Sequence, residues 1–501
     1  MTPAFIPPSG FASRIVPPMS NFKSATRQNG NENKRPPPPS SMAIEKKRRI
    51  SSSRSIAREV ASETNAVHDI EDFSPHEALR IRSSLLGWYD KNRRDLPWRT
   101  PTTPSVASTV LEEVEERRAY AVWVSEVMLQ QTRVPVVVGY YNRWMEKWPT
   151  IRDLSAATLE EVNELWAGLG YYRRARFLLE GSKAIVNEGK FPRTASALRG
   201  VRGIGNYTAG AIASIAFNEV VPVVDGNVVR VITRLKAISA NPKEAGTVKL
   251  IWKLASQLVD LSRPGDFNQA IMELGATLCS LTSPRCSECP VSDQCQALTL
   301  SRKSTKIKVV DYPAKVAKTK QRNDFAAVCV VEIAQEFDED VISEDGHKHG
   351  FLLVKRPENG LLAGLWEFPS VLLNEESMNQ RMRRVEMDKY LQRLFNIDIG
   401  RNCKVIRRHD VGEYVHVFSH IRLQMHVELL VLVLKGNFAQ FSTDEEDHCT
   451  ITWKCVDENS IKSMGLTSGV RKVYHMVQKF KEKQPMQISK RIPRKKARRS
   501  T

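Results

Sequence analysis

Four cysteines, Cys279, Cys286, Cys289 and Cys295, fall within 17 residues in the spacing C-x6-C-x2-C-x5-C. The first 30 residues lack the apolar core of a secretory signal, so an intracellular setting is expected, where such a cluster points to ligation rather than disulfides. Four thiolates can hold a zinc ion or a [4Fe–4S] cluster. Zinc sites usually pair their ligands on two Cys-x2-Cys knuckles, and here only Cys286 and Cys289 form one. The spacing leaves both metals open. The other cysteines, Cys329, Cys403, Cys449 and Cys455, are dispersed and read as buried thiols.

The 501 residues suffice for two or three domains. From His76 to Cys295 apolar residues recur at three- and four-residue spacing, which predicts helices, most clearly over 119–132, 159–172, 209–217, 226–235 and 267–279. Residues 74–298 therefore read as an α-domain, with 100–118 as an inserted surface loop. Residues 299–324 form a basic, proline-containing linker. Strand-like runs at 325–334, 350–357, 413–432 and 449–456, with a helical stretch at 375–395, predict an α+β domain over 325–478.

The net charge of +19 sits in the tails: residues 1–58 hold 11 Lys/Arg against two Asp/Glu, and 479–501 hold ten against one. Residues 1–73 and 479–501 read as disordered basic tails, and the part between them is nearly neutral, so nucleic-acid binding has to be argued from sites. The clusters at 34–50 and 490–499 suit a nuclear address; Arg14, Lys23 and Arg27, with no acid nearby, also suit a mitochondrial one. No run approaches the ~18 apolar residues of a membrane span.

The stretch GVRGIGNYTAGAI, residues 200–212, is a tight turn entering a helix. A P-loop would need Lys-Ser/Thr after its glycines, and a Rossmann turn a different glycine spacing after a strand. What remains is a plain αα-hairpin or a helix-hairpin-helix, whose Gly203 and Gly205 would present backbone N–H groups to a DNA phosphate. Asp225 follows Gly205 by twenty residues and Cys279 follows Asp225 by 54. Together these resemble the helix-hairpin-helix DNA glycosylases. LPWR (96–99), WVSEVMLQQTRV (123–134), GLGYYRRAR (168–176), GIGNYTAGAI (203–212) and VVDGNVVRV (223–231) resemble the adenine DNA glycosylase (MutY) family. The resemblance covers about 76–298 and continues more weakly through the second domain. Arg202 stands where the family usually has proline, and the 100–118 insertion is unusually long.

The resemblance implies a multidomain protein: an all-α helix-hairpin-helix domain with a [4Fe–4S] loop on Cys279, Cys286, Cys289 and Cys295, then an α+β Nudix-like domain. It implies hydrolysis of adenine from duplex DNA opposite 8-oxoguanine or guanine, in base-excision repair, by a monomer. A sliding or checkpoint clamp is an allowed partner, although no clamp-binding motif stands out.

Expelling adenine requires an acid to protonate the base and an anion to face the cation that develops at C1′. Glu126, set among Val122, Trp123, Val127 and Met128, should be pushed toward neutrality by burial. By resemblance it protonates adenine at N7 and helps activate water. Asp225 precedes a helix, where dipole and free N–H groups favour an ionised, low-pKa carboxylate. By resemblance it stabilises the cation or attacks C1′ transiently, and Asn227 hydrogen-bonds in the same site. Tyr207 occupies the position of a lysine in the strand-cutting sister family. A phenol forms no Schiff base, so base removal without strand cleavage is expected. Gln131 and Tyr171 match positions that wedge beside the lesion, and Arg99 and Gln130 match positions lining it. Arg173, Arg174 and Arg176 offer a phosphate-binding surface.

In the second domain, GLLAGLWEFPS (360–370) resembles the start of a Nudix fold, but the paired glutamates that would hold Mg²⁺ are missing, so no nucleotide hydrolysis is expected. Phe418, Ser419 and His420 match the loop that recognises 8-oxoguanine in the family. Two rivals remain: a pyrimidine-lesion or thymine glycosylase of the same superfamily, and a catalytically silent Fe–S protein that only binds DNA.

Overall fold

A computed structural model describes residues 71–99, 111–316, 320–334, 349–357, 360–434 and 452–483. Both basic clusters, Cys449 and residues 100–110 lie outside them.

The first half is helical and built on two apolar clusters. One gathers Trp123, Trp144 and Trp166 from helices Leu111–Leu129, Val134–Lys147 and Leu159–Trp166. The other joins Pro75–Asn92, Gly226–Leu235, Ala245–Leu258 and Pro264–Thr277. Helix Asn206–Phe217 lies between them, against Leu111–Leu129 on one side and Pro264–Thr277 on the other. Its residues 208–216 are all buried, and small side chains permit that. A Cβ on Gly210 would stand 2.7 Å from the Pro222 carbonyl oxygen, and one on Gly265 would stand 2.6 Å from that of Ser214. Tyr207 is thereby carried at the start of the most enclosed helix of the domain.

Several boundaries differ from the sequence reading. Helix Leu111–Leu129 begins inside the stretch read as an insertion, so residues 111–118 are helical. Glu112 and Glu113 suit the positive end of the helix dipole, and Glu115 pairs with Arg193. The helix expected to reach residue 172 stops at Trp166, because Gly168, Gly170 and Tyr171 all take positive φ. Helix Ser468–Lys483 runs into the stretch read as a tail, with Val473, Tyr474 and Val477 buried on one face.

The second half is a seven-stranded sheet: β1 (Arg322–Ala334), β2 (His349–Lys355), β3 (Trp366–Glu367), β4 (Ser370–Leu373), β5 (Cys403–Val417), β6 (Ile421–Leu434) and β7 (Trp453–Val456). Its order is β3-β2-β1-β6-β5, with β4 on β1 and β7 on β2; only β1 and β6 pair in parallel. β1 starts at Arg322, inside the expected linker. Its centre is buried on both faces, which explains the unbroken apolar run AAVCVV. Helix Gln380–Phe395 covers one face and Ser468–Lys483 the other. The run 413–432 is two strands turned at Phe418–His420, where the Phe418 N–H donates to the Ile421 carbonyl (2.7 Å). Cys329 and Cys403 are buried as expected, but Cys455 is exposed.

Candidate active site

Glu126 lies on the inner face of Leu111–Leu129 and is 6% exposed. The Tyr207 hydroxyl donates to its Oε2 and reaches Met272 Sδ at 3.6 Å. Burial pushes the Glu126 carboxyl up to about 7; the Tyr207 hydrogen bond opposes this and the Asp225 charge adds to it. The Tyr207 phenol is itself raised, by burial and by the two carboxylates, so it stays a neutral donor.

Asp225 caps helix Gly226–Leu235. Its Oδ1 accepts from the Val228 N–H (2.8 Å) and its Oδ2 from Asn227 Nδ2 (2.6 Å). The cap is as expected, but the direction of titration is not. Burial outweighs the capping bonds and raises the Asp225 pKa, because side chains distant in sequence exclude water from it. Arg230 holds Asn227 from behind: it donates to Asn227 Oδ1 (2.8 Å), to the Gly275 carbonyl (2.7 Å) and to the Cys279 carbonyl (2.8 Å).

Sequence reasoning missed Glu273, which is 1% exposed. Its carboxylate accepts two bonds from the Arg94 guanidinium (2.5 and 2.9 Å), one from the Arg94 backbone N–H (3.3 Å) and one from Arg99 (2.9 Å). Burial alone would raise its pKa, but the two guanidinium groups hold it below the usual range. Arg99 is thus fixed rather than free, with its guanidinium 5.5 Å from the centre of the Tyr89 ring. The only signal was a lone acid on the apolar helix FNQAIMELGATLC.

Gln130, Gln131, Tyr171, Arg173, Arg202 and Gly203 meet at a cavity of about 310 Å³. A neighbouring cleft of about 640 Å³ lies between the two halves, lined by Tyr171, the 360–363 loop and residues 416–421. Gln131 (φ 57°) and Tyr171 (φ 49°), on separate loops, both sit in the left-handed region, a strain that tends to collect at working sites. Tyr171 is 48% exposed, and its hydroxyl lies 2.5 Å from Ser419 Oγ. Phe418 packs edge-on against His416, with ring centres 4.4 Å apart. The two sets of candidate residues, from opposite halves of the chain, therefore touch.

Gly203 has φ 90°, and a Cβ there would stand 2.5 Å from the Phe177 Cβ; only glycine fits. Gly205 is the extended residue before helix Asn206–Phe217, with open space beside it. Arg174 does not offer itself to phosphate. It donates to the carbonyls of Val127, Met128 and Gln130 (2.8, 3.1 and 2.5 Å), closing the end of the Glu126 helix, and burial pushes its pKa down to about 10.

Cys279, Cys286, Cys289 and Cys295 are half-buried, free thiols. Burial pushes Cys289 up to about 12 and Cys295 up to about 11. Arg234, 1% exposed, donates to Cys279 Sγ (3.1 Å) and to the Ser280 carbonyl (2.8 Å). Among the described residues no three His, Cys, Asp or Glu side chains are grouped to hold a single metal ion. Four thiols beside a buried cation do fit an anionic cluster, whose irons are each held by a different thiolate. In the sheet domain, Arg384 and Arg408 pair with Glu428, and Arg408 with Asp388. Carboxylates there are engaged by arginines.

Residues 124–257 match the family described as HhH-GPD superfamily base excision DNA repair protein, and 341–476 match the NUDIX domain. Fold and site thus define a base-excision repair protein with a Nudix-like second domain. An adenine DNA glycosylase of Arabidopsis thaliana is 55% identical over 430 residues, 81% of this chain and 65% of the relative's own length. One from Mus musculus is 40% identical over 444 residues, 81% of this chain and 79% of the relative. The structure of a thermostable thymine-DNA glycosylase is 27% identical, with a TM-score of 0.39 over 44% of this chain and 97% of its own. The chain belongs to the adenine DNA glycosylase family.

Proposed function

We propose that the chain removes adenine opposite 8-oxoguanine from duplex DNA by hydrolysis alone, leaving an abasic site. The observation that carries this reading is the Glu126–Tyr207 pair, a carboxyl with a pKa of about 7 bonded to a phenol rather than to an amine. Protonated Glu126 gives its proton to adenine N7, and the C1′–N9 bond breaks with its electrons going to the base. Ionised Asp225, poorly solvated, gains from the cation growing at C1′ and stabilises it. Water adds to C1′ as Glu126, now a carboxylate, takes its proton. Tyr207 holds Glu126 in place and cannot trap the sugar. Extrusion of adenine leaves a gap that Tyr171 and Gln131 fill, while Phe418, Ser419 and His420 face the opposite base.

The test is a duplex carrying one A:8-oxoguanine pair. Adenine should be released with strand breaks appearing only after hot alkali, and more slowly when guanine replaces 8-oxoguanine. Strand scission without alkali, or release of an oxidised pyrimidine instead, would defeat the reading.

Cys279, Cys286, Cys289 and Cys295 are proposed to hold a [4Fe–4S] cluster, which when bound would supply a fixed anionic tether for the loop. Purified protein should contain iron and acid-labile sulfide in equal amounts; a preparation with zinc alone counts against it.

A further inference from the structure

We propose that Arg202 and Arg173 together grip one backbone phosphate of duplex DNA, with Phe177 as their shared platform. This rests on the chain's action on DNA and adds a contact made by its own residues. Both guanidinium groups lie over the Phe177 ring, 4.9 Å (Arg173) and 5.2 Å (Arg202) from its centre. The same ring packs under Gly203, so the platform and the hairpin turn form one unit.

Glu180 pairs with Arg176 (2.8 Å) and with Arg202 (3.1 Å), so Arg202 shares its carboxylate with a second arginine. Each guanidinium lies within 5.2 Å of the same ring centre, so a phosphate docked beside Phe177 would meet two cations held by one platform. Stacking limits the rotamers that each arginine must give up on binding, and a planar fork suits phosphate oxygens. Both arginines border the cavity next to Tyr171 and Gly203 as well as the larger cleft. Arg202 is 66% exposed on its side chain, open to a ligand. The ligand is a phosphodiester, read without regard to sequence.

The experiment measures affinity of the full chain for a fully paired duplex without a lesion, across a salt series. Arg202→Ala and Arg173→Ala should each bind roughly three- to tenfold more weakly near 0.15 M salt. The double variant should lower the slope of log K against log salt by about one, the signature of one phosphate. Glu180→Gln, which frees Arg202 and removes an anion, should bind roughly twofold more tightly. Unchanged affinity in both single variants overturns the proposal. So does weaker binding with an unchanged slope, which would mean lost packing. Adenine release by the unaltered chain is followed separately: a chain that releases none but shows these slopes fails the glycosylase reading and keeps the phosphate grip.

Discussion

Glu126→Gln is expected to slow adenine release under single-turnover conditions by about 10³-fold, within the usual range for losing a general acid. Glutamine keeps the size of the side chain and can still accept the Tyr207 hydroxyl, so the loss would report the missing proton. In the unaltered chain the rate should fall as pH rises through about 7, because the acid works protonated and its carboxyl titrates there. Stability moves with the same group. Its folded pKa is raised above the ordinary 4.5, so the stability it confers is full below 4.5, declines as pH rises and is gone above about 7. Glu126→Gln should therefore melt higher than the unaltered chain at pH 8, by an amount on the order of 3 kcal/mol, and no higher at pH 4. A glutamine variant that excises normally, or that melts lower at pH 8, contradicts a strained catalytic acid.

Glu273→Ala should produce the largest loss of stability of any single change at the site. The carboxylate is fully enclosed and holds both Arg94 and Arg99. Removing one side of a buried ion pair costs about 3–5 kcal/mol, here toward the lower end because the Arg94 side chain is 38% exposed while that of Arg99 is 13% exposed. For a domain of this size that is a fall in melting temperature of roughly 10 °C. Excision should fall with it, because Arg99 faces Glu126 electrostatically and Met272, the preceding residue, touches Tyr207. Fluorimetric melting and a single-turnover assay at low temperature separate the two effects. Melting within a degree or two of the unaltered chain would show that Arg99 has another anchor.

What could be read from the sequence depended on how local its cause was. Glu126 is flanked by the apolar residues that bury it, so its raised pKa was visible in eight letters. The Asp225 cap was visible for the same reason, three residues from its donor. The direction of its titration was not, because the packing that dries it comes from elsewhere in the chain. Glu273 lies 174 residues from Arg99 and 179 from Arg94, beyond any pattern of spacing. Arg174 looked like a cation for DNA because three carbonyls near the end of another helix cannot be seen in a string of letters. Arg202, an oddity beside the turn glycines, acquires a setting only when Phe177 and Glu180 are brought under it. The start of helix Leu111–Leu129 was hidden by the threonines and prolines just before it, which invite the reading of a loop.

Adenine is an undamaged base, so an enzyme that discards it must be restrained wherever it meets a sound T:A pair. The 2.5 Å contact between Tyr171 and Ser419 offers a physical source of restraint. On the reading proposed above, driving Tyr171 into the stack would part it from Ser419, a loss that would be recovered only if Ser419 found a new partner on the opposite base; a thymine there would return nothing. Vigilance of this kind needs no moving gate, only two domains that each hold half of one hydrogen bond.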